Sequence, residues 1–167
     1  MSRQSVKYMV FLLLQAAIWN YCNFSQFVTV VILPALIICL PVSRGTLRAM
    51  LLAFITGLAV DFFVSGRLGL TSFALVPVAL LRRPVISLVF GSELFARGEE
   101  LSFDRQGWQK FVPFVALLTA LFLLLYVWVD SAGTRPFLFN AVRFGASLLV
   151  SVPVSVFVSY LMLSENR

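Results

Sequence analysis

The chain has 167 residues, of which 60% are hydrophobic and 12% charged, with a net charge of +6 and a mean hydropathy of +0.97. A typical soluble domain carries about 25% charged residues, so this composition excludes a water-soluble globule. The apolar residues form long continuous blocks, which excludes a β-barrel with alternating apolar and polar positions. The basic residues lie between these blocks and not along one face, which argues against nucleic-acid binding.

Six apolar blocks follow one another along the chain, and each is predicted to form a membrane-spanning helix of one six-helix bundle. A polar segment over residues 82–110 separates the fourth helix from the fifth and is predicted to lie in the cytoplasm or on the membrane surface. Pro34 falls inside the second helix, where neighbouring helices can satisfy the freed carbonyl group. The predicted helices cover residues 8–19, 27–40, 47–64, 68–81, 111–129 and 137–163.

The distribution of Lys and Arg predicts the orientation of this bundle. Six crossings place both chain ends on one side, together with ten of the thirteen basic residues. Because basic residues concentrate on the cytoplasmic side of membrane proteins, both termini are predicted to be cytoplasmic. The ten inside residues are Arg3, Lys7, Arg44, Arg48, Arg82, Arg83, Arg97, Arg105, Lys110 and Arg167, and the three outside are Arg67, Arg135 and Arg143.

Two predicted helices carry small or hydroxyl residues at every fourth position, a spacing that lines one helix face. Such ridges let a second backbone approach closely, so both are predicted to be helix-packing surfaces. An alternative for the serines is that each bonds the carbonyl oxygen four residues earlier in its own helix. The third helix carries Ala49, Ala53 and Gly57, and the sixth carries Ser147, Ser151, Ser155 and Ser159.

Asp61 continues the ridge of the third helix toward the outer membrane face. An acid at the edge of a membrane span indicates a function or a specific partner. Arg143 stands at the outer end of the serine ridge, which suggests the hypothesis of an Asp61–Arg143 ion pair. Arg67 and Arg135 are alternative partners, and a further alternative leaves Asp61 solvated among the lipid headgroups.

No group of residues in the sequence indicates catalysis. The chain has no His, and its two cysteines, Cys22 and Cys39, are predicted to lie near opposite membrane faces. The acidic residues between the fourth and fifth helices alternate with Arg, which favours a solvated surface over a metal site. We therefore predict no enzyme activity, no catalytic residue, no cofactor and no bound metal.

The pattern Gly57-x3-Asp61, followed by Gly66 and Gly69, resembles the rod shape-determining protein MreD family of bacteria. The chain length, the six predicted spans and the basic cytoplasmic loops agree with that resemblance. It implies an all-α fold like the six-helix substrate-binding components of energy-coupling vitamin transporters. It also implies that these four residues are a family signature.

The same resemblance implies a non-catalytic scaffold of the inner membrane that maintains cell shape during cell-wall elongation. Its implied partners are a bitopic MreC protein, cytoplasmic actin-like MreB filaments, a RodA-type glycosyltransferase and a class B penicillin-binding transpeptidase, all within the lipid bilayer. The alternative is a substrate-binding component for vitamin uptake, with a polar pocket near the outer face. The residues that would line this pocket are Asn20, Asn23, Gln26, Asp61 and Asn140.

Overall fold

The computed structural model describes residues 3–21, 28–41, 45–65, 68–91, 107–131 and 136–164. Over these residues the chain is a bundle of helices without a β-sheet. One π-helical turn, Asp61–Ser65, continues the third helix. In chain order the helices are α1 (Arg3–Tyr21), α2 (Leu33–Ile38), α3 (Thr46–Val60), α4 (Leu70–Phe90), α5 (Trp108–Ser131) and α6 (Phe137–Ser164).

In the part of the chain that the structure describes, four helices are long and apolar enough to cross a membrane. They are α3 with its π-helical turn, α4, α5 and α6. Large apolar side chains such as Phe63, Leu88 and Leu149 are about three-quarters exposed or more. Water would leave this surface prone to association, whereas lipid solvates it. These helices indicate a multi-pass membrane protein.

The short helix α2 lies at the centre of the bundle. Each of its residues is buried, and α1, α4, α5 and α6 all pack against it. Around it, α3 packs against α4, α4 against α5, and α5 against α6. The core therefore has a six-residue helix at its centre, covered by side chains of the longer helices.

Aromatic contacts show which helix ends meet. The ring of Phe90 at the end of α4 lies 5.4 Å from that of Phe114 in α5. Trp108 at the start of α5 lies 6.0 Å from Tyr160 near the end of α6. Among the described residues, the exposed basic side chains at this end of the bundle, called the basic end below, are those of Arg48, Arg83 and Lys110.

The structure corrects the second predicted helix, over residues 27–40. Residues 28–32 are not helical, and α2 covers only Leu33–Ile38, while residue 27 lies outside the described part. Pro34 stands in the first turn of α2 and not in its interior. Because an N–H group in the first turn has no partner within the helix, proline suits this position and marks the helix start.

The fourth helix is also corrected, since α4 continues to Phe90 and not to residue 81. The predicted polar segment over 82–110 therefore begins as membrane helix. Arg82 was expected at the cytoplasmic surface, but it is only 3% exposed and donates a hydrogen bond to the carbonyl oxygen of Leu40. The helix ends at Gly91, where the φ angle is 85°.

The remaining helices lie close to their predicted positions. The bounds of α5 and α6 fall within three residues of those expected, and α3 with its π-helical turn agrees to one residue. The first helix begins five residues earlier than expected, at Arg3. Long apolar periodic segments thus locate these helices without knowledge of their neighbours.

Candidate functional site

The close approach of α3 to α4 depends on Gly57. A Cβ atom at this position would lie 2.5 Å from the Cα atom of Ser72 and 2.6 Å from its backbone nitrogen. Side chains do not tolerate such distances, so only glycine fits without moving α4. Ser72 Oγ also donates a hydrogen bond to the carbonyl oxygen of Phe54 at 3.0 Å. Ala49 and Ala53 on the same ridge are buried, so the ridge faces the interior of the bundle.

Asp61 caps the amino terminus of α4. Its carboxylate accepts hydrogen bonds from the backbone N–H of Gly69 at 2.9 Å and from that of Thr71 at 3.0 Å. The first N–H groups of a helix have no partner within it, and a carboxylate both satisfies them and complements the helix dipole. Asp61 is fully buried, so the alternative of a headgroup-solvated acid does not hold.

Gly69 completes this connection with a φ angle of 98°, a left-handed conformation that favours glycine. Gly66 lies outside the described residues. We call the set formed by Gly57, Asp61, Gly69, Thr71 and Ser72 the α3–α4 corner. Three of the four residues of the sequence motif therefore belong to one set of backbone contacts.

The hypothesised Asp61–Arg143 ion pair is not formed, because each side chain has a different partner. Asp61 binds the α4 backbone, as described above. Arg143 Nη1 lies 2.6 Å from Asp130 Oδ2, an ion pair that links α6 to α5. The other candidate partners of Asp61, Arg67 and Arg135, lie outside the described residues.

The serine ridge of α6 binds the nonhelical segment that precedes α2, residues 28–32. Ser147 Oγ accepts a hydrogen bond from the Thr29 N–H at 2.9 Å. Ser151 Oγ accepts from the Val31 N–H at 3.1 Å and donates to the Thr29 carbonyl oxygen at 3.2 Å. Ser155 Oγ donates to the Val31 carbonyl oxygen at 3.1 Å. The ridge is thus a packing surface for a nonhelical chain, not for a helix.

These serine–backbone hydrogen bonds, called the serine ladder below, depend on a match between two spacings. One is the spacing of the serines along α6, and the other is the spacing of alternate residues along the segment. Residues four apart in a helix are displaced by about 6 Å along its axis, and two residues of extended chain rise by about 6.6 Å. Alternate backbone groups of the segment therefore meet successive serines on one helix face. The Oγ of Ser159, the last serine of the ridge, has no hydrogen-bond partner within the described part of the chain.

Side chains of α1 form hydrogen bonds with backbone groups on the opposite edge of the same segment. Gln15 Nε2 and Trp19 Nε1 donate to the Val30 carbonyl oxygen at 3.2 and 2.7 Å. Gln15 Oε1 accepts from the Ile32 N–H at 2.5 Å. These two contacts are not among those predicted from the sequence, although Gln15 stands alone in an apolar run. A glutamine in such a run predicts a buried hydrogen-bond partner, because burying an unpaired amide is costly.

The pocket residues of the transporter alternative are not brought together where the structure describes them. Asp61 binds the α4 backbone, and Asn140 Oδ1 accepts a hydrogen bond from Ser131 Oγ at 2.7 Å. Asn20 lines a groove between α1 and α3. Asn23 and Gln26 lie outside the described residues.

Within the described residues, no group of three or more His, Cys, Asp or Glu side chains could hold a metal ion. Comparison with known proteins gives no relative: no family model, no curated protein and no solved structure matches the chain. The functional interpretation therefore depends on the residues and contacts described above. The best-defined set of contacts is the α3–α4 corner. The largest set is formed by the hydrogen bonds of Ser147, Ser151 and Ser155 with the nonhelical segment.

Proposed function

We propose that this protein is a non-catalytic scaffold of the bacterial cell-wall elongation machinery, in the manner of the MreD family. The observation that carries the proposal is the α3–α4 corner. Gly57, Asp61 and Gly69, on which the resemblance depends, each serve a backbone contact there. A motif that builds a helix connection suits a protein whose task is to present surfaces to other membrane proteins.

The buried polar groups support the same proposal. A ligand or active site needs several polar groups that converge on a free space. Here the buried carboxylate of Asp61 and the hydroxyls of Ser147, Ser151 and Ser155 bind backbone groups of the chain itself. These side chains therefore stabilise the fold and are not available for a substrate.

Six membrane crossings form part of the proposal. The nonhelical segment and α2 together act as the second crossing, because they follow α6 over much of its length. Thr29 Oγ1 accepts from Arg143, and Cys39 Sγ lies 3.9 Å from the Ser159 carbonyl oxygen. Sixteen residues of helix separate these two contacts, about 24 Å of the roughly 30 Å hydrocarbon core.

The proposed location is the inner membrane, with the basic end in the cytoplasm. Among described residues, Arg48, Arg83 and Lys110 lie at this end, whereas Asp61 and Asp130 lie at the other. The positive-inside rule favours that orientation, with both chain termini cytoplasmic. The exposed apolar faces of the bundle would then contact a bitopic MreC-type protein and the RodA-type and penicillin-binding enzymes. The basic end would face MreB-type filaments.

Depletion of the protein in its bacterial host tests this proposal. We expect rod-shaped cells to become round and a single-span MreC-type protein to co-purify with the tagged chain. Complementation by Gly145→Ala but not by Gly57→Leu would connect the phenotype to the α3–α4 corner. If depleted cells keep their shape and lose uptake of a labelled vitamin, the scaffold is rejected in favour of the transport component.

A further inference from the structure

Pro153 stands in the interior of α6 and removes one hydrogen bond from that helix. Proline has no backbone N–H group, so the carbonyl oxygen of Leu149, four residues earlier, loses its usual partner within the helix. Pro153 is exposed, and Leu149 and Phe157, one turn on either side of it, are 76% and 61% exposed. These three residues, spaced by four, form one ridge that we call the proline face. The freed oxygen therefore lies on the exposed side of α6.

The proline face lies near the middle of a membrane span. The span of α6 extends from Phe137 to Leu163, and Leu149 lies about 18 Å along the axis from the first and about 21 Å from the last. No water is available at this depth to bind an unpaired carbonyl group, which makes such a group unfavourable. Acyl chains carry no hydrogen-bond donor, so lipid alone leaves the oxygen of Leu149 unpaired.

The hydroxyl groups of α6 do not satisfy this oxygen. Ser147 and Ser151 are each two residues from Leu149, about 200° around the helix, and they bind the nonhelical segment on the other face. Among the described residues, no side chain donates a hydrogen bond to the Leu149 carbonyl oxygen. The missing donor must therefore come from another molecule that reaches the middle of the membrane.

A second copy of this chain does not offer such a donor on its described surface. At the middle depth of the described spans, hydroxyl side chains such as those of Thr56, Thr119 and Ser151 are buried. Exposed polar side chains of the described helices, such as those of Asn20 and Ser87, lie near helix ends. A helix of a different protein, with a donor of its own, is the occupant that fits.

We propose that the proline face binds a membrane helix of another protein, which donates a side-chain hydrogen bond to the Leu149 carbonyl oxygen. The donor is a hydroxyl or amide side chain, such as that of Ser, Thr, Asn or Gln, at the middle of the partner helix. Hydrogen bonds of this kind hold membrane helices together where lipid and apolar side chains are equally good neighbours. The inference goes beyond the scaffold function and requires only that α6 crosses a membrane.

Photo-crosslinking to synthetic membrane helices tests the proposal. The purified full chain, with a photoreactive benzophenone amino acid in place of Phe157, is placed in phosphatidylcholine vesicles with one of two peptides. Both peptides are membrane-spanning helices of Leu and Ala, and they differ only at the midpoint, where one carries Asn and the other Leu. We expect the Asn peptide to crosslink about threefold more, as about 0.6 kcal/mol for an interhelical hydrogen bond predicts.

Matched controls separate the freed carbonyl group from general attraction of the Asn peptide. With the photoreactive group in place of Phe54, which is exposed on the proline-free helix α3, the two peptides should react equally. Pro153→Ala restores the N–H group to α6 and should abolish the threefold preference at Phe157. Pro113→Ala, which removes the proline of α5, should keep it.

Equal crosslinking of the two peptides at Phe157 would overturn the proposal. A preference for the Asn peptide that persists in Pro153→Ala, or that is as large at Phe54, would do the same. Crosslinks between two copies of the chain at Phe157 that exclude both peptides would assign the face to self-association and reject a different partner. If a lower unfolding temperature shows that Pro153→Ala disturbs the fold, Pro153→Leu replaces it in the same comparison.

Discussion

Single residues of the α3–α4 corner act through their effect on backbone geometry. Gly57 lets α3 approach the backbone of Ser72, Gly69 adopts a left-handed conformation, and Asp61 satisfies the first N–H groups of α4. The first two roles require glycine, for reasons of size and chirality, and the third requires a side chain that accepts hydrogen bonds. The corner should therefore be sensitive to substitutions that preserve hydrophobicity.

Gly57→Ala should lower the free energy of unfolding by about 1–3 kcal/mol, the usual cost of overpacking, because its Cβ would meet the backbone of Ser72. The measurement is unfolding by dodecyl sulfate in mixed micelles, followed by tryptophan fluorescence. Gly145→Ala is the matched control, since no atom lies within 4 Å of its added Cβ. It should be neutral or stabilising by up to about 1 kcal/mol through helix propensity. Equal destabilisation by both variants would contradict the close approach.

Asp61→Ala should cost about 0.5–2 kcal/mol, as the loss of a helix cap does. A double-mutant cycle then separates this cap from an ion pair. Asp61→Ala and Arg143→Gln should be additive within about 0.5 kcal/mol, while Asp130→Asn and Arg143→Gln should show coupling of at least that size. If Asp61→Arg combined with Arg143→Asp restores stability that either change alone removes, the assigned partners are wrong.

At the level of elements, the nonhelical segment before α2 is the unusual feature. Nonhelical backbone at membrane depth is tolerated only where protein or water satisfies its polar groups. Here Ser147, Ser151 and Ser155 bind one edge, while Gln15 and Trp19 bind the other. Side chains of the two flanking helices thus form the hydrogen bonds that the backbones of neighbouring strands form in a β-sheet.

Alanine substitutions along the serine ridge should give a graded series. Ser151→Ala removes two hydrogen bonds and leaves a buried N–H group and a partly buried carbonyl oxygen unpaired, at up to about 1–3 kcal/mol each. Ser147→Ala and Ser155→Ala remove one bond each and should cost about half as much. Ser159→Ala is the control within the same ridge, because its hydroxyl has no partner in the described part of the chain.

The same unfolding assay measures all four serine variants. Because the four positions share one helix face and one type of substitution, differences in helix propensity cancel. An equal loss of stability in all four variants would indicate that the serines serve general packing. It would contradict the role assigned to their hydrogen bonds.

At the scale of the whole molecule, the described residues separate exposed positive charge from buried polar groups. The exposed positive charges of Arg48, Arg83 and Lys110 lie at one end, and the ion pair of Asp130 with Arg143 lies at the other. Polar groups between the two ends mostly bind the chain itself. The described part of the bundle therefore has an apolar belt between its two ends and a basic surface at one of them.

Reporter fusions test the proposed orientation. A fluorescent protein that folds only in the cytoplasm should be active at both chain ends. Alkaline phosphatase, active only outside the cytoplasm, should be active when inserted at 66–67 and at 132–135. Insertion at 98–99 serves as the matched internal control and should give inactive phosphatase. Activity of different reporters at the two ends would exclude an even number of crossings, and with it the proposed six-span topology.

Much of the helix pattern follows from local sequence, because apolar blocks of sufficient length must be helical in lipid to satisfy their own backbone. This is why α3, α5 and α6 lie close to their predicted bounds. The segment over 28–38 could not be assigned in this way. Its side chains are nearly all apolar, so their pattern does not distinguish a helix from an extended chain. The serines that bind its backbone lie more than one hundred residues away in the chain.

The choice of polar partners could not be predicted either. The sequence predicts Asp61 and Arg143 near the same membrane face, but α3 packs against α4 whereas α6 packs against α5, so their nearest partners differ. Composition and hydrophobic length suffice to establish a helical membrane protein, since they follow from the solvent that the chain requires. Lateral neighbours determine where each buried hydrogen bond goes, because these bonds join residues that are distant in sequence and act over about 3 Å.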